Sequence, residues 1–227
     1  MVPLAEKYSH FAPLYDLLSG EYPVYRAGRT LGVESLDLQP GAQVLDVGCG
    51  TGLNFGLLHD GVGLSGTIIG VDRSRAMLAR ARRRAQRRGW TNIILIEADA
   101  TTLDVGFVQD TVIDQGGRAA SDAALATYAL SLMTPWQAAW ERMLQLTGPG
   151  GTLSVVDMQE PTSRFSVLTP LARAACRLGG ADITAHPWQA VERDCGDVRA
   201  FSARGNHLQV RTGHHQPDTR RDGGRSL

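Results

Sequence analysis

The sequence predicts an α/β fold: a doubly wound, mostly parallel seven-stranded sheet with an antiparallel edge at its C-terminal end. Three observations carry this. Short apolar runs alternate with amphipathic helical stretches from Gln43 to Met158. The first three runs each end at an acid: Asp46, Asp72 and Asp99. A glycine-rich turn, Gly48-Cys49-Gly50-Thr51-Gly52, follows the first of them. Sheets of this kind hold ligands beyond the carboxyl ends of their strands, where the strand order reverses.

The elements follow in order. Residues Val2 to Thr30 carry Tyr8, Phe11, Tyr15, Tyr22 and Tyr25. Leu14, Leu17 and Leu18 have helical spacing, and Gly20 and Pro23 break it, so two helices are expected, the second running through Leu36. Residues 1–40 read as a helical cap. Gln39-Pro40-Gly41 turns into the first strand, Gln43 to Val47. Leu53, Leu57 and Leu58 share one helical face after the glycine turn. Thr67 to Val71 is a continuous apolar run and a second buried strand. Ser74 can cap the next helix, with Met77, Leu78, Ala81 and Ala85 inward and Gly89 ending it. Ile93 to Ile96 is the third strand.

Thr111 to Ser121 is polar and glycine-containing and reads as a loop; Ala123 to Tyr128 is the fourth strand. Thr134-Pro135-Trp136-Gln137 has the form of a capping box, with proline at the first helical position. Trp136, Ala139, Trp140 and Met143 mark that helix's inner face. Gly148 to Gly151 is a turn before a fifth strand, Leu153 to Met158. Leu168 to Leu178 can form a helix. Phe201 to Ala203 and His207 to Val210 flank Arg204-Gly205-Asn206, a hairpin turn that supplies the antiparallel edge. Residues 41–212 thus form the main domain, and 213–227, rich in Gly, Arg, Asp and Pro without periodicity, read as a disordered tail with His214-His215 solvated.

At 227 residues and 43% apolar, the chain suits one domain with a sizeable core. Its formal net charge of zero implies no global attraction to nucleic acid or to an anionic membrane, and no nucleic-acid partner is expected. The three cysteines, Cys49, Cys176 and Cys195, lack metal-ligand spacing and suit a reduced, cytoplasmic setting. No cationic-then-apolar leader is visible, and no apolar run reaches the length of a bilayer span. Lys7 is the only lysine, so basic side chains here are arginines almost by default.

The acids bear on chemistry. A carboxylate at Asp46 repels a pyrophosphate and attracts a cation such as an ammonium. Asp72, about 20 residues past the turn, sits where an acid can bridge two ribose hydroxyls. Asp99 can accept from an exocyclic amine such as adenine N6. The three together suit a neutral nucleoside with a cationic tail.

The motifs Leu45-Asp46-Val47-Gly48-Cys49-Gly50-Thr51-Gly52, Gly70-Val71-Asp72, Glu97-Ala98-Asp99-Ala100 and Pro149-Gly150-Gly151 resemble those of the class I S-adenosylmethionine-dependent methyltransferases, over Gln43 to Met158. Tyr8, Tyr15-Asp16 and Arg26 resemble the lead-in of the ubiquinone/menaquinone-type and bacterial phosphatidylethanolamine N-methyltransferase-type members, whose N-terminal helices cover the cofactor. The resemblance implies the Rossmann-like methyltransferase fold and S-adenosyl-L-methionine as cofactor. It places the methionine part against Asp46, Gly48, Cys49, Gly50 and Thr51, the ribose at Asp72 beside Arg73, and the adenine at Asp99 and Ala100. Tyr128 and Tyr15 fall near the methyl-transfer region.

The resemblance also implies methyl transfer to a small molecule or lipid headgroup. The amide-methyltransferase motif is absent after the fourth strand, which reads Ala126-Thr127-Tyr128-Ala129. The catechol-type acidic metal set is not evident either, since Met158 follows Asp157, so no metal is expected. A base is needed only if the acceptor must lose a proton; the candidates are Tyr128, His10, His186 and His207. Aminocarboxypropyl transfer from the same cofactor and an NAD-binding oxidoreductase are the alternatives, and Asp46 argues against the second. Cys49 reads as a small residue without chemistry. Arg80, Arg82, Arg83, Arg84, Arg87 and Arg88 read as a solvated helix face, with an anionic lipid surface as the alternative.

Overall fold

The computed structural model describes residues 25–160, 181–204 and 206–216. His10, Tyr15, the first N-terminal helix, the Leu168 to Leu178 helix and the tail beyond Gln216 lie outside the described residues. Seven strands form one sheet in the order β3-β2-β1-β4-β5-β7-β6. They are β1 (Gln43–Val47), β2 (Thr67–Asp72), β3 (Ile93–Glu97), β4 (Ser121–Thr127), β5 (Thr147–Met158), β6 (Cys195–Ala203) and β7 (Leu208–His215). The first five are parallel, and β7 inserts antiparallel between β5 and β6. This is the Rossmann-like topology expected from the sequence.

Strand alternation divides the core. Val44, Ile68, Ala123, Leu125 and Val156 face one layer, built by α1 (Arg26–Glu34), α2 (Phe55–Val62) and α3 (Arg75–Arg88). Leu45, Ile69, Ala124 and Val155 face the other, built by α4 (Val105–Asp114), α5 (Trp136–Leu146) and α6 (Gln189–Asp194). The strand order reverses at β1, whose neighbours are β2 and β4. Asp46 falls on the α1–α2 side by the same alternation that turns Val44 there.

The structure corrects several local expectations. Residues 111–114 belong to α4, whose start is fixed by the Asp104 carboxylate accepting from Phe107 N at 3.0 Å, so only the segment after Asp114 is loop. α2 buries Phe55, Leu58 and Val62 rather than Leu53 and Leu57. The register is shifted because the glycine turn continues to Asn54, and Phe55 is the first helical residue. No capping box forms at α5: Pro135 is itself the N-cap and no side chain caps the helix. Gly148 to Gly151 lie within β5, at a register shift opposite Ser121 and Ala123.

The C-terminal edge is longer than expected. β7 runs through His215 because Thr152 pairs with His214 and Cys195 with His215. Residues 213–215 are therefore strand. The His215 ring sits 3.1 Å from Thr147 O rather than in a solvated tail.

Candidate functional site

The glycine turn rises from the carboxyl end of β1 with its amides already engaged. Gly48 N and Cys49 N both donate to Val71 O at 2.8 and 3.0 Å, Gly50 N donates to the Asp72 carboxylate at 2.9 Å, and Gly52 N donates to Cys49 O at 2.9 Å. A phosphate cradle needs free amide donors. These four amides are committed, so the turn meets a ligand with carbonyls and carboxylates, which suits a cation. That weighs against a dinucleotide at this place.

Gly48, at φ +69°, could not carry a side chain, since a Cβ would fall 2.5 Å from the Ala129 Cβ. Gly50, at φ +55°, differs: its Cβ would meet nothing within 4 Å. The space above Gly50 is open for a ligand, and only the left-handed backbone reserves the position for glycine.

Asp46 lies beneath the turn with no exposure. Its Oδ1 accepts from Asn54 Nδ2 at 2.8 Å, and its Oδ2 has no hydrogen-bond partner. Arg29, from α1, donates through Nη1 to Asn54 Oδ1 at 2.7 Å and to Thr127 Oγ1 at 2.8 Å. Asn54 therefore links a buried guanidinium to a buried carboxylate. Burial drives the Asp46 carboxyl up to about 7, while the Asn54 hydrogen bond and the Arg29 charge oppose the rise. A buried carboxylate with one bare oxygen is an expensive arrangement in the absence of a ligand. It fits a site completed by a bound ammonium.

Asp72 closes β2 and accepts from two amides, Gly50 N at 2.9 Å and Ser74 N at 2.8 Å. Burial raises its pKa, and the two amides work against that rise. Each oxygen keeps a lone pair for a ligand hydroxyl. Asp99 stands two residues past β3, where Oδ1 accepts from Thr101 N and Oγ1, and Oδ2 stands 4.0 Å from Arg73 Nη1. Both members of that pair are substantially exposed, so it orients the carboxylate more than it stabilises the fold.

Tyr128 follows β4 at φ +54°, a conformation that is strained for an aromatic residue. Its amide donates to Val156 O at 2.7 Å and its hydroxyl to Tyr25 O at 2.8 Å. The Tyr25 ring lies 4.9 Å away, and the Arg29 guanidinium 5.6 Å from the Tyr128 centroid. The hydroxyl is thus tied to backbone, which leaves it poorly placed to accept a proton. His207 Nδ1 is held against Gln159 O, and the His186 ring packs on Trp188 with centroids 4.8 Å apart. Cys49 is buried, and burial pushes its thiol well up, so its side chain is a core group beside Gly70. Among the described residues no three His, Cys, Asp or Glu side chains gather as a metal-binding group.

Arg29, Asn54, Thr127 and Tyr25 escaped the sequence reading. Two signals pointed to them. Gly28 and Gly32 bracket Arg29 at four-residue spacing, marking close approach by α1: Cβ atoms there would fall 2.2 Å from Tyr128 Oη and 2.3 Å from Val156 Cγ2. Asn54, polar and two residues past Gly52, stands where the next helix begins.

The fold and the site together define an S-adenosylmethionine-binding methyltransferase. A protein-family profile described as "Methyltransferase domain" matches residues 38–191, and the chain belongs to that family. It is 31% identical over 163 residues to a 2-phytyl-1,4-naphtoquinone methyltransferase of Thermosynechococcus vestitus, covering 71% of this chain and 67% of that protein. It is 26% identical over 172 residues to a ubiquinone/menaquinone biosynthesis C-methyltransferase of Hahella chejuensis, covering 71% of this chain and 65% of that one. The chain thus spans about two thirds of these relatives' length. A SAM-dependent methyltransferase from Aquifex aeolicus shares the fold at a TM-score of 0.60 and 14% identity, over 88% of this chain and 97% of that chain.

Proposed function

We propose that this chain methylates a ring carbon of a small aromatic acceptor of the quinol type, with adenosylmethionine as the donor and no metal. The observation that carries the donor half is the buried Asp46 with its bare Oδ2 beneath a glycine turn four of whose amides are engaged within the protein. The acceptor half is supported by the names of the relatives, which act on naphthoquinone and ubiquinone or menaquinone precursors. The Tyr25–Tyr128 ring pair offers aromatic surface of matching chemistry, and Ala129, next to Tyr128 in sequence, packs against Gly48 of the turn.

When bound, adenosylmethionine supplies a methyl group on a good leaving group. Asp46 holds the ammonium, and Asp72 the ribose hydroxyls. Asp99 and the Ala100 backbone hold the adenine, while Arg73 keeps Asp99 in place. Gly50 leaves open space beside the turn that the donor would fill. Tyr128, fixed by its amide and its hydroxyl, would offer a rigid ring to the acceptor. Alignment and exclusion of water then supply most of the rate. An electron-rich ring carbon needs no side-chain base for attack; its proton can leave afterwards to water or to His186.

The test is to supply 1,4-naphthohydroquinone, a phenol and a primary amine as acceptors, and to measure adenosylhomocysteine release and the site of the new methyl group. Carbon methylation of the hydroquinone is expected. Turnover of the amine or the phenol alone would reject the acceptor assignment and leave the donor site standing. We further propose a cytoplasmic setting: Cys49 and Cys195 are free thiols, as a reducing compartment keeps them. Among the described residues no helix is long and apolar enough to cross a membrane.

A further inference from the structure

We propose that a cavity between α2 and α3, which adjoins the cofactor site at Thr51 and Gly52 of the glycine turn, is a binding site for a phosphate-bearing ligand. The cavity has a volume of about 540 Å³. One wall carries five arginines of α3: Arg80, Arg83, Arg84, Arg87 and Arg88. Trp90 lines it too, and its ring stacks on His59 with centroids 5.3 Å apart.

The charge here is local. The chain has a formal net charge of zero, yet α3 holds Arg75, Arg80, Arg82, Arg83, Arg84, Arg87 and Arg88 and no acid. Arg75 lies 3.8 Å from Glu97. Among the described residues no carboxylate pairs with Arg80, Arg83, Arg87 or Arg88. The helix dipole accounts for a preference for Arg87 and Arg88 in the last turn. It does not account for Arg80, Arg83 and Arg84, which lie further back.

Spacing separates a binding wall from a merely solvated face. Positions 80, 83, 84, 87 and 88 are i, i+3, i+4, i+7 and i+8, which is one helix face, and Arg82 alone of this run lies off it. Like charges so placed repel, at roughly 0.2–0.5 kcal/mol per pair. Arg80 is also partly buried, which concentrates its field in the concavity. An anion relieves both costs. Planar guanidinium forks meet phosphate oxygens in paired hydrogen bonds, and Arg80, Arg83, Arg87 and Arg88 around one cavity suit a diester or more than one phosphate. The source of that phosphate is a soluble polyphosphate or a lipid headgroup.

The experiment titrates the full chain with sodium tripolyphosphate at low and at high salt. In parallel, it measures sedimentation with phosphatidylcholine vesicles with and without phosphatidylglycerol. The Arg83→Glu/Arg87→Glu double variant changes exposed side chains, and Arg82→Glu is the control off the wall. We expect salt-sensitive binding that the double variant weakens about tenfold or more and the control at most two- to threefold, with adenosylmethionine affinity unchanged in both. Binding of tripolyphosphate alone identifies a soluble source. Retention on phosphatidylglycerol vesicles, lost in the double variant, identifies a headgroup. Absence of both, or equal loss in the double variant and the control, overturns the proposal.

Discussion

Cofactor affinity should depend steeply on pH below neutrality, and Asp46 sets the slope. Its carboxyl titrates at about 7 because it is buried beneath the glycine turn. The cofactor's ammonium, an α-amino group, titrates near 8 and stays charged from pH 5 to 7. Only the ionised carboxylate attracts it. At pH 6 roughly one Asp46 in eleven is ionised, and at pH 5 roughly one in a hundred. The dissociation constant should therefore rise about fivefold from pH 7 to 6 and nearly tenfold from pH 6 to 5, losses of about 1 and about 1.3 kcal/mol. Calorimetric titration at pH 5, 6 and 7 measures the slope. Repeating it at pH 6 in two buffers of different ionisation enthalpy should show close to one proton released per cofactor bound. Asp46→Asn should bind at least about tenfold more weakly at pH 7 and show no slope. A flat affinity in the native protein, or a slope that survives in Asp46→Asn, would refute the assignment of the ammonium to this residue.

Arg29→Gln removes a charge that holds the Asp46 pKa down, so the midpoint of that pH profile should move upward; affinity at pH 6 should fall several-fold, about 1 kcal/mol, while a downward shift would contradict the linkage through Asn54. Gly50→Ala should fold with a cost of about 1 kcal/mol, read as a small drop in Tm, yet lose most cofactor binding. Gly48→Ala should lose Tm markedly, because its Cβ strikes Ala129. Equal Tm losses in the two would remove the distinction between a ligand-facing and a protein-facing glycine. Finally, the folded pKa values of Asp46 (about 7) and Asp157 (about 6) lie above the unfolded value of 3.8. The stability they contribute is present below pH 3.8 and is lost as pH rises through 6 and 7. Denaturation with urea between pH 5 and 7.5 should show the cofactor-free protein weakening as pH rises, and saturating cofactor should flatten that trend.

The sheet could be read from the sequence because burial on both faces writes each parallel strand as a continuous apolar run, as in Thr67 to Val71 and Ile93 to Ile96. The acids could be read because each stands at the end of such a run. Register within helices was harder. Whether α2 begins at Leu53 or at Phe55 depends on where the glycine turn stops, and that is set by hydrogen bonds such as Gly52 N to Cys49 O. The relay from Arg29 to Asp46 was invisible for a different reason. Its members are 25 and 98 residues apart, joined only when α1 packs on the sheet. A buried arginine in a helix that also carries two packing glycines leaves a faint trace in one sequence. β7 extended past Thr212 because pairing with β5 and β6 supplied the order that its composition did not.

The packing of α1 has a consequence for how this protein can be divided. The family profile covers residues 38–191, but α1 precedes that stretch and β7 follows it. A fragment cut along the homology boundaries would lose the guanidinium that steadies Asp46. It would also strip the partner from β5, leaving Leu153 to Met158 as a bare apolar edge prone to pairing with other chains. Swapping acceptor preferences between relatives should therefore keep residue 26 onward and the β6–β7 hairpin as part of the catalytic body, and place junctions elsewhere.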